Sequence, residues 1–130
     1  MIARILNIKL IMKIYIIRHG QDDASVRGGW SNTSLTALGI QQSNKLADEL
    51  FQNQSEYNIC KIYSSDLKRA RQTAQIIADK LSVPIEFISD FREVDNGELA
   101  GMDNYLAEEK YPNLYWRKLN WDEHYPNGES

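Results

Sequence analysis

One cysteine stands in 130 residues, so no internal disulfide can form. Cys60 lies inside the apolar run NICKIY, and the expectation is a small buried hydrophobe in a protein of the reducing cytoplasm. Positive charge is not in excess either. The formal net charge is −3, which leaves no electrostatic footprint for nucleic acid, although an acidic protein can still hold a local cationic pocket. An unbroken hydrophobic run of membrane length is also missing: MIARILNIKLIMKIYII is strongly apolar, but Arg4, Lys9 and Lys13 interrupt it and no small-residue cleavage site follows. Neither a signal peptide nor a membrane span is expected. No internal repeat or low-complexity tract is present, and the length does not accommodate two ordinary domains. A single domain over 1–130 is expected. Residues 1–11 are either an extension ahead of a natural beginning at Met12 or an extra strand or arm.

What is there reads as alternating strands and helices. Lys13 to Ile17 is a β-branched and aromatic run that suits one buried strand. A polar, glycine-bearing loop follows from Gln21 to Ser34. Thr36 suits the N-cap of a helix reaching about Phe51, with Leu46, Ala47, Leu50 and Phe51 on one face and Gly39 and Gln42 off it. A second strand is expected at Ile59 to Tyr63. The next helix carries Leu67, Ala70, Ala74, Ile77, Ala78 and Leu81 on one side and is capped by Ser65 or Asp66. A third strand spans Ile85 to Ile88, and Asp103 caps a short helix that Pro112 ends. This order predicts an α/β fold, a mostly parallel sheet flanked by helices.

In such a sheet, ligands bind beyond the carboxyl ends of the strands, where Arg18 and His19 lie. Arg69 falls in the first turn of the helix after the second strand, so its guanidinium and the helix N–H groups can face one anion. A histidine between two such cations is favoured as a neutral imidazole and can attack a bound phosphorus. Gly20 lets the substrate come close. Taken alone, RHG serves equally as a strand end with a polar turn. Asp22, Asp23 and Asp66 have no spacing diagnostic of magnesium, and solvated or capping roles are expected.

The segments YIIRHGQ, SLTALGIQQS, YSSDLKRARQTA, FREVDNGELAG and YPNGES occur in order from Lys13 to Ser130. Together they resemble the histidine phosphatase superfamily, the phosphoglycerate-mutase-like proteins. The resemblance implies that His19 is the phosphorylated nucleophile, that Arg18 and Arg69 clamp phosphate, and that Glu93 is the general acid for the leaving oxygen. Glu93 follows the third strand, so it too can reach the carboxyl-end crevice. The implied activity is a metal-independent phosphomonoesterase with no cofactor, acting on a small phosphate ester, with inorganic phosphate as a further ligand. Only 35 positions separate Glu93 from Gly128, a short interval similar to compact phosphatases of the α-ribazole phosphatase type and unlike the mutases.

The chain departs from the family where a second pocket histidine is expected on a later strand. His124 lies in a polar loop and does not replace it. Gln21 stands where many members carry glutamate, which leaves substrate choice open. A C-terminally shortened phosphatase is expected, with the exposed sheet edge covered in a homodimer; strand exchange with a partner copy, or residues 1–11 in the vacant strand position, are the alternatives. A non-catalytic phospho-ligand binding module or inactive remnant, and a phosphoglycerate mutase, are the competing functions. Tyr111, Tyr115, Trp116, Trp121 and Tyr125 form either a lid over the substrate or packing for a small helical segment.

Overall fold

A computed structural model describes residues 12–112, 114, 119–120 and 122–129. The expectations for residues 1–11 and for Tyr115, Trp116 and Trp121 lie outside the described residues. Helix α1 covers Ala37–Gln52, and the short α2 covers Gln54–Tyr57. Strand β1 is Ile62–Ser64, α3 is Lys68–Leu81, β2 is Ile85–Phe87 and α4 is Asn104–Lys110. Single 3-10 turns fall at Ser89–Phe91 and Gly97–Leu99.

The core forms where α1 lies on α3. Leu50 and Ala47 of α1 meet Ile77 and Leu81 of α3, with Ile59, Ile62 and Val83 packed around them. Small residues allow the close approach: Gly39, Ser43 and Ala47 line the buried face of α1, and Thr73, Ala74 and Ala78 that of α3. Gly39 therefore belongs to the buried stripe, whereas Phe51 is half exposed, which corrects the expected face. The α1 cap is as expected: the Thr36 hydroxyl accepts the Gly39 N–H at 3.1 Å.

Helix α3 joins β1 to β2, which pair in parallel with Ile62 opposite Ile85 and Ser64 opposite Phe87. The fold is thus α/β with a small parallel sheet and flanking helices. Its α3 cap differs from expectation. The N-cap is Leu67, without a side-chain cap; Ser65 Oγ takes the Leu67 N–H at 3.3 Å and Asn32 Oδ1 takes that of Lys68 at 3.3 Å. Asp66 is committed elsewhere, to Arg92. Asp103 caps α4 as expected, accepting from Tyr105 and Leu106.

Lys13 to Ile17 is not a buried strand. It pairs with nothing among the described residues, and Ile16 is 97% exposed. β-branched residues favour a strand only where a neighbouring edge takes their backbone groups. Among the described residues the sheet holds only β1 and β2, and the run joins neither; it touches the rest through Tyr15, whose ring meets Tyr57 edge-on at 5.4 Å, and through Lys13 Nζ, which donates to the Glu56 carbonyl at 3.4 Å. Cys60 is exposed rather than buried, because β1 begins only at Ile62 and leaves it outside the sheet. Among the described residues no helix is long and apolar enough to cross a membrane.

Candidate active site

The loop after His19 is fastened to the start of α1. Gln21 N–H donates to Gln42 Oε1 at 2.9 Å, and the Gln21 carbonyl accepts the Thr36 N–H at 2.9 Å. Gly20 N–H reaches across to Thr73 Oγ1 of α3 at 3.1 Å. Two glycines make this possible: a Cβ on Gly20 would stand 2.4 Å from the Gly39 carbonyl oxygen, and one on Gly39 would stand 2.0 Å from that of Gln21. Gly20 is buried between loop and helix, and its small size serves this contact.

His19, Arg69 and Glu93, separated by as many as 74 positions in the chain, come together. Arg69 is the hub and is only 2% exposed. Its Nε donates to His19 Nε2 at 3.2 Å, its Nη1 to the carbonyl and hydroxyl of Ser31 at 2.8 and 3.3 Å, and its Nη2 to the Gly29 carbonyl at 2.9 Å and to Glu93 Oε2 at 2.9 Å. Asp22 Oδ2 stands 3.5 Å from Arg69 Nε and accepts the Thr33 hydroxyl at 2.8 Å. Gly29, at φ +70°, turns its carbonyl to Arg69 in a backbone conformation that favours glycine.

These contacts fix the state of the imidazole. A guanidinium can only donate, so His19 Nε2 accepts and carries the lone pair. Nδ1 then bears the proton and donates to the Gly20 carbonyl at 2.7 Å. The arrangement presents an unprotonated ring nitrogen, a buried cation and a carboxylate around one point.

Glu93 is held from behind. Trp30 Nε1 donates to the Glu93 carbonyl at 2.7 Å, and the Arg92 guanidinium lies 4.8 Å from the centre of the Trp30 ring. Arg92 in turn grips Asp66 through Nε at 2.6 Å and Nη2 at 2.5 Å. That grip holds the Asp66 carboxyl below the usual carboxylate range and pushes the Arg92 guanidinium up. Asp66 lies two residues before α3, so this pair ties the Glu93 segment to the start of the helix that carries Arg69.

Arg18 is not brought to Arg69. It is exposed and lines, with His19, Gly20, Gln42, Ser43, Leu46 and Thr73, a hollow of about 170 Å³ that shares no residue with the cavity beside Glu93. His124 is exposed. The expectation that the α3 N-terminus offers free N–H groups does not hold for Lys68, whose N–H goes to Asn32. Sequence reasoning missed Ser31, Gly29, Trp30 and the Asp66–Arg92 pair. The only available signal was their density of polar and aromatic residues beside motif positions. Among the described residues no group of three or more His, Cys, Asp or Glu could hold a metal ion.

Known proteins resemble this chain in sequence and in fold. The family model of the histidine phosphatase superfamily (branch 1) matches residues 14–130. A probable phosphoglycerate mutase, GpmB, of Escherichia coli O1:K1 / APEC is 34% identical over 129 residues, covering 92% of this chain and 56% of the relative. A 2,3-bisphosphoglycerate-dependent phosphoglycerate mutase of Rhizobium etli (strain CIAT 652) is 32% identical over 126 residues, covering 90% and 58%. Among solved structures, a putative alpha-ribazole-5'-P phosphatase from Escherichia coli K-12 superposes with a TM-score of 0.72 at 25% identity, over 87% of this chain and 56% of that one. A mycobacterial glucosyl-3-phosphoglycerate phosphatase in complex with inorganic phosphate gives 0.68 at 28% identity, over 86% and 52%. The chain spans little more than half the length of the relatives it matches. On motifs, fold and family model together, the chain belongs to the histidine phosphatase superfamily.

Proposed function

We propose that the protein is a phosphomonoesterase that transfers phosphate from a small ester to His19 and then to water, with arginine supplying the positive charge. The observation that carries this reading is the Arg69 hydrogen bond to His19 Nε2, which leaves that nitrogen unprotonated beside a buried cation. An ester phosphate entering the site as its monoanion takes the place of the Glu93 carboxylate on Arg69 and hands its own proton to that displaced carboxylate. His19 Nε2 attacks phosphorus, the P–N bond forms as the ester P–O bond breaks, and Glu93 gives its proton to the departing oxygen. Glu93, now ionised, takes a proton from water as water attacks the phosphohistidine, which releases inorganic phosphate and restores the neutral ring. Charge on the transferring group is met by Arg69, and Arg18, exposed next to His19, is the proposed second cation.

Solved phosphatases of similar fold support the ligand class, since one is a complex with inorganic phosphate and another a complex with VO3. The test is hydrolysis of p-nitrophenyl phosphate with rapid acid or alkaline quenching. A phosphoenzyme stable to base and labile to acid is expected, and His19→Ala should lower turnover by about 10⁴-fold or more. Unchanged turnover in His19→Ala removes the nucleophile from this scheme. Phosphate binding without turnover assigns the chain to ligand binding instead. The names of the sequence relatives favour a mutase as the second reading, and dependence of phosphate transfer on a bisphosphate primer would establish it.

A further inference from the structure

A cavity of about 360 Å³ opens beside Glu93, lined by Trp30, Ser89, Asp90, Arg92, Glu93 and Glu129. That volume lies within the ~300–1,000 Å³ common to small-molecule sites. The cavity touches Glu93 and does not touch His19. In an in-line displacement the leaving oxygen lies opposite the attacking nitrogen and beside the proton donor. The carbon skeleton of the leaving alcohol must therefore run outward past Glu93, into the space this cavity occupies.

The walls define what fits. Trp30 presents an indole that is 39% exposed and oriented by its hydrogen bond to the Glu93 carbonyl; the Arg92 guanidinium already lies 4.8 Å from its ring centre, so a further cation has only the exposed remainder of the ring. The one cation in the lining, Arg92, is neutralised by two bonds to Asp66. The remaining ionisable groups are the carboxyls of Asp90, Glu93 and Glu129. Asp90 accepts the Ser89 hydroxyl at 3.2 Å, and Glu129 accepts the Asp95 N–H at 2.9 Å; the partners of both are neutral donors. An aromatic wall with carboxylates beside it attracts a cationic nitrogen and repels an anion.

We propose that this cavity is the alcohol subsite, and that it takes phosphate monoesters of alcohols bearing an ammonium group while turning away esters whose alcohol carries a carboxylate. The proposal rests on the reading of Glu93 as proton donor. It separates the chain from relatives named for phosphoglycerate, whose alcohol portion is an acid.

The experiment compares phosphocholine, glycerol phosphate and 3-phosphoglycerate on the full chain, by kcat/KM and by calorimetric Kd. Phosphocholine is expected to lead, and 3-phosphoglycerate to trail it by roughly tenfold or more. Asp90→Asn together with Glu129→Gln should compress that ratio toward unity. Should the pair of changes impair folding, Asp90→Asn alone and a rise in ionic strength should each narrow the ratio. Equal or better use of 3-phosphoglycerate, or a ratio unmoved by both the substitutions and salt, overturns the proposal. Hydrolysis of p-nitrophenyl phosphate with no discrimination among the three esters ends the subsite and leaves the phosphatase standing. Inertness toward every ester ends the phosphatase reading, and the order of Kd values then decides the subsite.

Discussion

All the N–H groups of Arg69 are engaged within the protein, by His19, Ser31, Gly29 and Glu93. An arriving anion can gain a bond to this guanidinium only by displacing one of them. Glu93 is the partner with freedom to leave, since its side chain is 61% exposed while the carbonyls of Gly29 and Ser31 are fixed in the backbone. Glu93→Gln should therefore act in opposite directions on two readouts. Inorganic phosphate should bind roughly fivefold more tightly, because a competing negative charge is gone, while hydrolysis of an alkyl phosphate slows. Calorimetry and initial rates check both; weaker phosphate binding would show that Glu93 does not hold the anion's place. At this scale the sequence named His19, Arg69 and Glu93, because each sits in a motif of recognisable spacing. It could not name Ser31 or Gly29, since they serve mainly through backbone carbonyls, which every residue type possesses.

Among the elements, α1 and α3 were legible because their small and apolar residues recur with a helical period and Thr36 marks a start. Their buried faces were less so. Gly39 has no hydrophobic signal of its own and is buried because the Gln21 backbone lies against it, with room for no Cβ. Gly39→Ala should destabilise the fold by about 1–3 kcal/mol, read as a lower denaturant midpoint. It should also disturb His19, because the atom it strikes is two residues downstream. A wild-type midpoint would mean that the loop yields freely. The start of α3 supplies a pH prediction. Asp66 is held below its ordinary 3.8, first by the hydrogen bond from Arg92, so its contribution to stability is complete above that value and is lost as pH falls through the lowered folded one. Asp66→Asn should thus cost stability at pH 7 and cost little once the wild-type carboxyl is protonated. Urea titrations at both pH values test this, and a cost independent of pH would show that the ion pair is not its source. Because the same pair braces Trp30 and Glu93, Asp66→Asn should slow alkyl esters more than p-nitrophenyl phosphate, whose leaving group needs little help from an acid.

Over the whole molecule, the α/β class was legible and the position of its first strand was not. Lys13 to Ile17 has the composition of a buried strand, but composition specifies a preference while pairing requires a neighbouring edge within reach, and the run joins neither β1 nor β2. Cys60 fails for the same reason, as an apolar neighbourhood in sequence is not one in space. The division between held and unheld backbone falls at the catalytic candidate itself. Upstream of His19, residues 12–18 have no backbone partner among the described residues; from Gly20 onward the chain is pinned to Thr73, Gln42 and Thr36. Expressed as time, amide deuteration should run at nearly the unprotected rate through Ile17 and slow abruptly at Gly20, with the slowest protons in α3 around Ile77. Vanadate seated on His19 should then move that boundary upstream, so a mass spectrometer following one peptide could report occupancy of the site without any turnover.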